Sequence, residues 1–144
     1  MNIPNEALVL VGDGRKALFL RNRGTPANPE LVLEDQIEQD NPPTREQGTD
    51  RPGRKPGTDG VSRSAIEETD QHQRAEQRFA VRLADTLYQM GHDNRFQALL
   101  VVAPPRMLGD LRAALHPEVA QRVIGEVPKD LLSHSLPEMT RLLS

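Results

Sequence analysis

The periodicity of apolar residues changes abruptly inside the stretch FQALLVVAPPRMLGDLR, from Phe96 to Arg112. Ala98 to Val102 is a continuous apolar run, the pattern of a strand covered on both faces. Beyond Ala103-Pro104-Pro105 the apolar positions Leu108, Leu111 and Leu115 fall at helical spacing instead. Pro105 suits the first turn of a helix, where its missing N–H costs nothing and its fixed φ is already helical. This segment therefore predicts a central strand, a tight turn and a helix amino terminus. In open α/β sheets such a turn, at the carboxyl end of a strand, is where ligands most often bind.

The other elements follow from the same two periods. Ala7 to Val11 and Ala17 to Leu20 are apolar and flank Gly12-Asp13-Gly14, which predicts a hairpin. Leu31-Val32-Leu33, with Ile37 beyond, predicts a third strand after a turn-rich segment. Ser64-Ala65-Ile66-Glu67 has capping-box spacing and predicts a helix from there to Met90, with Gly91 as its stop. Ala75, Phe79, Leu83, Leu87 and Met90 form its apolar stripe, and the charged residues around them read as a solvated face. After a break at His116-Pro117, residues Val119 to Val127 predict a fifth strand. Pro128-Lys129-Asp130 predicts a short helical piece, and the Ser135–Glu138 capping box opens a last amphipathic helix.

Hairpins make the first three strands antiparallel neighbours, and helical crossovers return the chain parallel and right-handed. The expected fold is α/β: a ribonuclease H-like five-stranded mixed sheet of order 3-2-1-4-5, with the second strand antiparallel and helices on both faces. Strands 1 and 4 are then adjacent and parallel, which brings Asp13 and Arg106 to one edge.

Composition changes this picture in one place. Of the 24 residues from Asn41 to Ser64, eight are Gly or Pro and Val61 is the one large apolar residue. Such a stretch buries too little surface to offset its ordering entropy, so a mobile loop at 41–64 is expected within a single domain spanning 1–144. It holds Arg45, Arg51, Arg54, Lys55 and Arg63 against three acidic residues. It reads either as a solvated loop or as an arm that contacts a polyanion, chiefly through Arg54 and Lys55. The whole chain has a net charge of −3 and a pI near 5.8, which argues against a surface basic throughout. There is no cysteine, hence no disulfide, thiolate nucleophile or Cys-based metal site. No apolar run nears the roughly 18 residues of a membrane span and no leader pattern opens the chain, so a cytoplasmic location is expected.

Asp13 reads as a turn former at positive φ or as a carboxylate facing the crevice. Arg106 reads as an anion ligand beside a helix amino terminus or as the ion-pair partner of Asp13. His72 has no second histidine at ligand spacing, and the serines lack a nucleophile elbow. Two-metal nuclease chemistry needs several carboxylates, and the end of strand 4 offers only Val101-Val102-Ala103-Pro104. No cofactor or metal is expected.

The segments VLVGDGRKALFL, FAVRLADTL, LLVVAPPRMLGDLR and VIGEVPKDL together resemble the bacterial host attachment proteins over nearly the whole chain. That family in turn looks like the middle domain of archaeal and eukaryotic peptide-release factors. The resemblance implies the same sheet and a role in translation. Release factors carry a Gly-Gly-Gln in the loop before the long helix, where it positions water for peptidyl-tRNA hydrolysis. Here the region reads GTDGVSRSAIEE: Gly57 and Gly60 are separated by Thr58-Asp59, no Gln follows, and Gln47-Gly48 lies too early to substitute. The expectation is a non-enzymatic cytoplasmic factor binding a ribosome or RNA through Asp13, Arg54, Lys55 and Arg106. The alternatives are a regulatory or attachment factor acting through protein contacts and, further off, hydrolase or nuclease activity.

Overall fold

The computed structural model describes residues 2–39 and 60–144. Along the chain lie β1 (Leu8–Gly12), β2 (Lys16–Asn22), β3 (Leu31–Glu38), α1 (Gly60–His92), β4 (Leu99–Val102), α2 (Pro105–Ala114), the single turn α3 (Pro117–Ala120), β5 (Val123–Val127) and α4 (Leu136–Leu143). The five strands form one sheet in the order β3-β2-β1-β4-β5. β2 runs antiparallel to both its neighbours, while β1, β4 and β5 are mutually parallel. This is the mixed ribonuclease H-like order that the hairpin and crossover arguments give.

Strand alternation sorts the core into two layers. Leu8, Leu10, Leu99 and Val101 face Phe79, Leu83 and Leu87 of α1 and Met107, Leu108 and Leu111 of α2. Val9, Val11, Leu100 and Val102 face the other way, against Ile3, Leu131 and the α4 residues Met139 and Leu143. Both layers need β1 and β4 apolar at every position, and all of Leu8–Gly12 and Leu99–Val102 are buried. At about 0.8 kcal/mol per buried CH₂ these two strands carry much of the hydrophobic stabilisation.

Several local expectations change. α1 begins at Gly60, so the Ser64–Glu67 spacing falls inside the helix and does not open it. Nothing in Val61–Arg63 breaks a helix, and a capping-box spacing arises by chance wherever Ser precedes Glu. Residues 60–64 of the expected loop thus belong to α1, and 41–59 lie outside the described residues. The helix also runs past Gly91 to His92, and the left-handed residue beyond it is Asn94, with φ 57°. Asn tolerates that conformation because its short polar side chain bonds locally. Residues 117–120 are a helical turn and not part of β5. There His116 accepts the backbone N–H of Glu118 on Nδ1, and Pro117 occupies the first position. The helical piece expected at Pro128-Lys129-Asp130 does not form, residues 128–131 being irregular with a turn at 132–133, while the Ser135–Glu138 capping box forms as expected. No helix among the described residues is long and apolar enough to cross a membrane.

Candidate functional site

The carboxyl ends of β1 and β4 open onto a cleft of about 210 Å³, lined by Asp13, Arg15, Glu76, Arg106 and Asp110 together with Gly14, Pro104 and Met107. Parallel pairing of Val11 with Val102 sets the two strand ends side by side, and everything that follows each strand meets there. Asp13 and Arg106 therefore do reach one edge.

They do not pair. Oδ1 of Asp13 accepts the backbone N–H of Arg15 at 2.8 Å and of Lys16 at 2.9 Å, while its own N–H donates to Lys16 O. Asp13 thus fixes the β1–β2 hairpin through its side chain. It does so without the positive φ expected of it, for among the described non-glycine residues only Glu6 and Asn94 have one. No ion pair joins Asp13 to Arg106 among the described residues.

Arg106 lies in the first turn of α2, whose cap position is Pro104 with no side chain to offer and whose first residue is Pro105. The amino-terminal N–H groups of that turn have no capping acceptor from this residue, and the helix dipole leaves a partial positive charge there. Arg106 and Arg15 are both exposed, and neither guanidinium has a carboxylate partner among the described residues. The cleft thus presents a helix amino end and two cations that are unpaired among the described residues.

Two acidic residues that pattern reading placed on a solvated face, or left unremarked, also line it. Glu76 is half-buried, and its carboxylate lies so close to Gly14 that a Cβ there would sit 2.5 Å from Glu76 Cγ. A signal existed: Glu76 precedes Phe79, Ala80 and Leu83 by three, four and seven residues, the spacing of one helix face. Asp110 stands three residues beyond Met107 and one before Leu111, at the margin of the buried stripe. Its Oδ2 is buried without a hydrogen-bond partner. A buried acceptor left unsatisfied costs on the order of 1–3 kcal/mol, so this atom is poised to receive a donor. Asp13, Glu76 and Asp110 nevertheless do not converge into a cluster that could hold a metal ion among the described residues. Arg54 and Lys55 lie outside the described residues.

A mixed sheet of order 3-2-1-4-5 with a polar cleft where its central parallel strands end defines an α/β domain of the ribonuclease H-like type. The chain belongs to bacterial archaeo-eukaryotic release factor family 12, whose model matches residues 6–143. No curated protein matches it.

Proposed function

We propose that this protein is a non-enzymatic, cytoplasmic translation factor that binds a ribosomal or other RNA surface, seating a backbone phosphate in the cleft between β1 and β4. The observation that carries the reading is the pair of guanidiniums, Arg15 and Arg106, without a carboxylate partner among the described residues and lining one cleft with the uncapped amino end of α2. At about 210 Å³ the cleft is smaller than the roughly 300–1,000 Å³ of sites that enclose a whole small molecule, and it suits one group of a larger partner. Membership of a release-factor family supports a place in translation. The sequence argues against hydrolysis of peptidyl-tRNA, because GTDGVSRSAIEE lacks the Gly-Gly-Gln that release factors use. An attachment phenotype, as the host attachment resemblance implies, would follow indirectly from an effect on translation.

Co-sedimentation with purified ribosomes across a salt series tests this. The parent is expected to pellet at low salt and release as salt rises. Arg106→Ala should bind more weakly with a shallower salt dependence, since each phosphate that goes unneutralised lowers the slope by about 0.7–0.9. A double Arg54→Ala, Lys55→Ala variant measures what the basic 41–64 segment adds. Failure of the parent to pellet at the lowest salt overturns the ribosome reading and favours a protein partner.

A further inference from the structure

The opposite end of the same sheet holds a larger cavity, about 680 Å³, which the translation reading does not use. It lies where β1 and β4 begin, and its walls include Glu6, Arg21, Arg23, Glu34, Arg95 and Phe96. Arg21 breaks the apolar pattern of β2, and its side chain is only 8% exposed. Its guanidinium grips the Glu34 carboxylate with two bonds, at 2.9 and 3.1 Å, and Nη1 donates to the carbonyls of Glu6 at 3.0 Å and Arg95 at 2.8 Å. Glu34 is aimed at Arg21 by a bulge: Phe19 pairs with Asp35 and Leu20 with Leu33, leaving Glu34 as the extra residue. Arg23 completes the network by donating to both oxygens of Glu6 and to Glu34.

A purely structural clasp accounts for Arg21, Arg23 and the two glutamates, but it leaves the Arg95 guanidinium without a role. Both non-glycine residues with positive φ among the described residues, Glu6 at 71° and Asn94 at 57°, line this one cavity. Backbone held in such conformations by surrounding bonds clusters at binding sites. Here the Glu6 N–H donates to Asn22 O at 2.7 Å while its carbonyl takes Arg21, so the conformation is over-determined. Next, Arg95 is held at both backbone groups, its N–H donating to Met90 O at 2.9 Å and its carbonyl accepting from Arg21. Yet its guanidinium is exposed and makes no ion pair or hydrogen bond among the described residues, although it lies near enough to Glu34 to help lower that carboxyl, after the larger effects of Arg21 and Arg23. Last, both carboxylates are already engaged by arginines, so the cation left over is Arg95. A fixed backbone, a guanidinium without a partner among the described residues and the accessible apolar surface of Pro4 and Ala98 are what a small anion with an apolar body requires.

We infer that this cavity binds a small organic anion, its carboxylate or phosphate head on Arg95 and its apolar body against the accessible wall of Pro4 and Ala98. Its size falls within the roughly 300–1,000 Å³ of small-molecule sites, and its ligand is separate from the RNA surface proposed for the other end.

Backbone-amide NMR titration of the full chain with phenyl phosphate and with benzoate, using benzamide as the uncharged control, tests the assignment. Either anion is expected to shift the amides of Glu6 and of residues 94–98, with benzamide silent, and the stronger of the two identifies the head group. Arg95→Gln should weaken that binding at least about tenfold with its melting temperature unchanged, Arg95→Lys should restore part of it, and Arg106→Ala should leave it intact. No shift at millimolar anion, shifts confined to the Arg106 cleft, or full binding by Arg95→Gln would each overturn the proposal. None of these outcomes bears on ribosome co-sedimentation.

Discussion

The two ends of the sheet are built from the same pair of strands and treat charge in opposite ways. At the amino end, Arg21 is buried and its charge is met by a bidentate carboxylate and two backbone carbonyls. At the carboxyl end, among the described residues, Arg15 and Arg106 stay exposed and unpaired, while Asp110 keeps a buried oxygen without a donor. The difference follows from what leaves the strands. The carboxyl ends feed a hairpin and a helix amino terminus, which point N–H groups and a dipole outward. The amino ends are entered by irregular segments whose carbonyls need donors, and a guanidinium with five N–H groups supplies them. One end is consequently a clamp with a cavity behind it, and the other is an open polar cleft where Arg15 and Arg106 stand beside Asp13, Glu76 and Asp110.

The largest effect should come from the layer that both ends share. Leu100 is 1% exposed in the α4-side core, and Leu100→Asp places an unpaired charge there. A loss of about 4 kcal/mol is expected, read as a fall of roughly 10 °C in melting temperature. Melting within a degree or two of the parent would show that β4 is not the central strand.

The comparison itself is broken or kept by Arg21→Leu. Removing Arg21 leaves the Glu34 carboxylate with only its longer bond from Arg23 and strands two carbonyls, at a cost of about 3 kcal/mol. Chemical denaturation of this variant beside Arg106→Ala, for which no more than about 0.5 kcal/mol is expected, measures the contrast directly. Equal losses would mean that the carboxyl-end arginine is as structural as the buried one.

A smaller effect appears with pH. The hydrogen bonds from Arg21, aided by the charge of Arg23, hold the Glu34 carboxyl below the usual glutamate range, against the opposing effect of burial. A carboxylate of lowered pKa contributes stability that is fully present above its unfolded value and is lost as pH falls through the folded one. The stability gap between the parent and Glu34→Gln should therefore be constant near neutrality and close progressively below about pH 4.5. A gap that persists unchanged to pH 3 would assign the contribution of Glu34 to packing.

A local effect comes from the capping box of α4. Ser135→Ala removes the acceptor for the Glu138 N–H and should cost about 1 kcal/mol, read in the same denaturation series. Because α4 covers only the Leu100 layer, ligand shifts at the amino-end cavity should not change.

The sequence by itself determined the elements whose cause is local or periodic. The run Ala98 to Val102, the Pro105 helix start, the stripe Phe79, Leu83 and Leu87, and the Ser135 cap are each dictated by neighbours within a few residues. The strand order then followed from connection lengths and handedness. Tertiary structure decided where side chains from distant elements meet. Glu76 and Asp110 joined the Asp13–Arg106 cleft, although only their helical spacing hinted at it. Arg21 and Glu34 found each other through a bulge that no local pattern announces. Asp13 and Arg106 reached the same edge as strand pairing requires, but Asp13 bonded its own turn, because backbone N–H groups two and three residues away compete at shorter range than a guanidinium across a cleft. Which edge a residue occupies is a matter of topology, legible from pattern, while which partner it takes is settled by distances of a few tenths of an ångström that only the packed chain fixes.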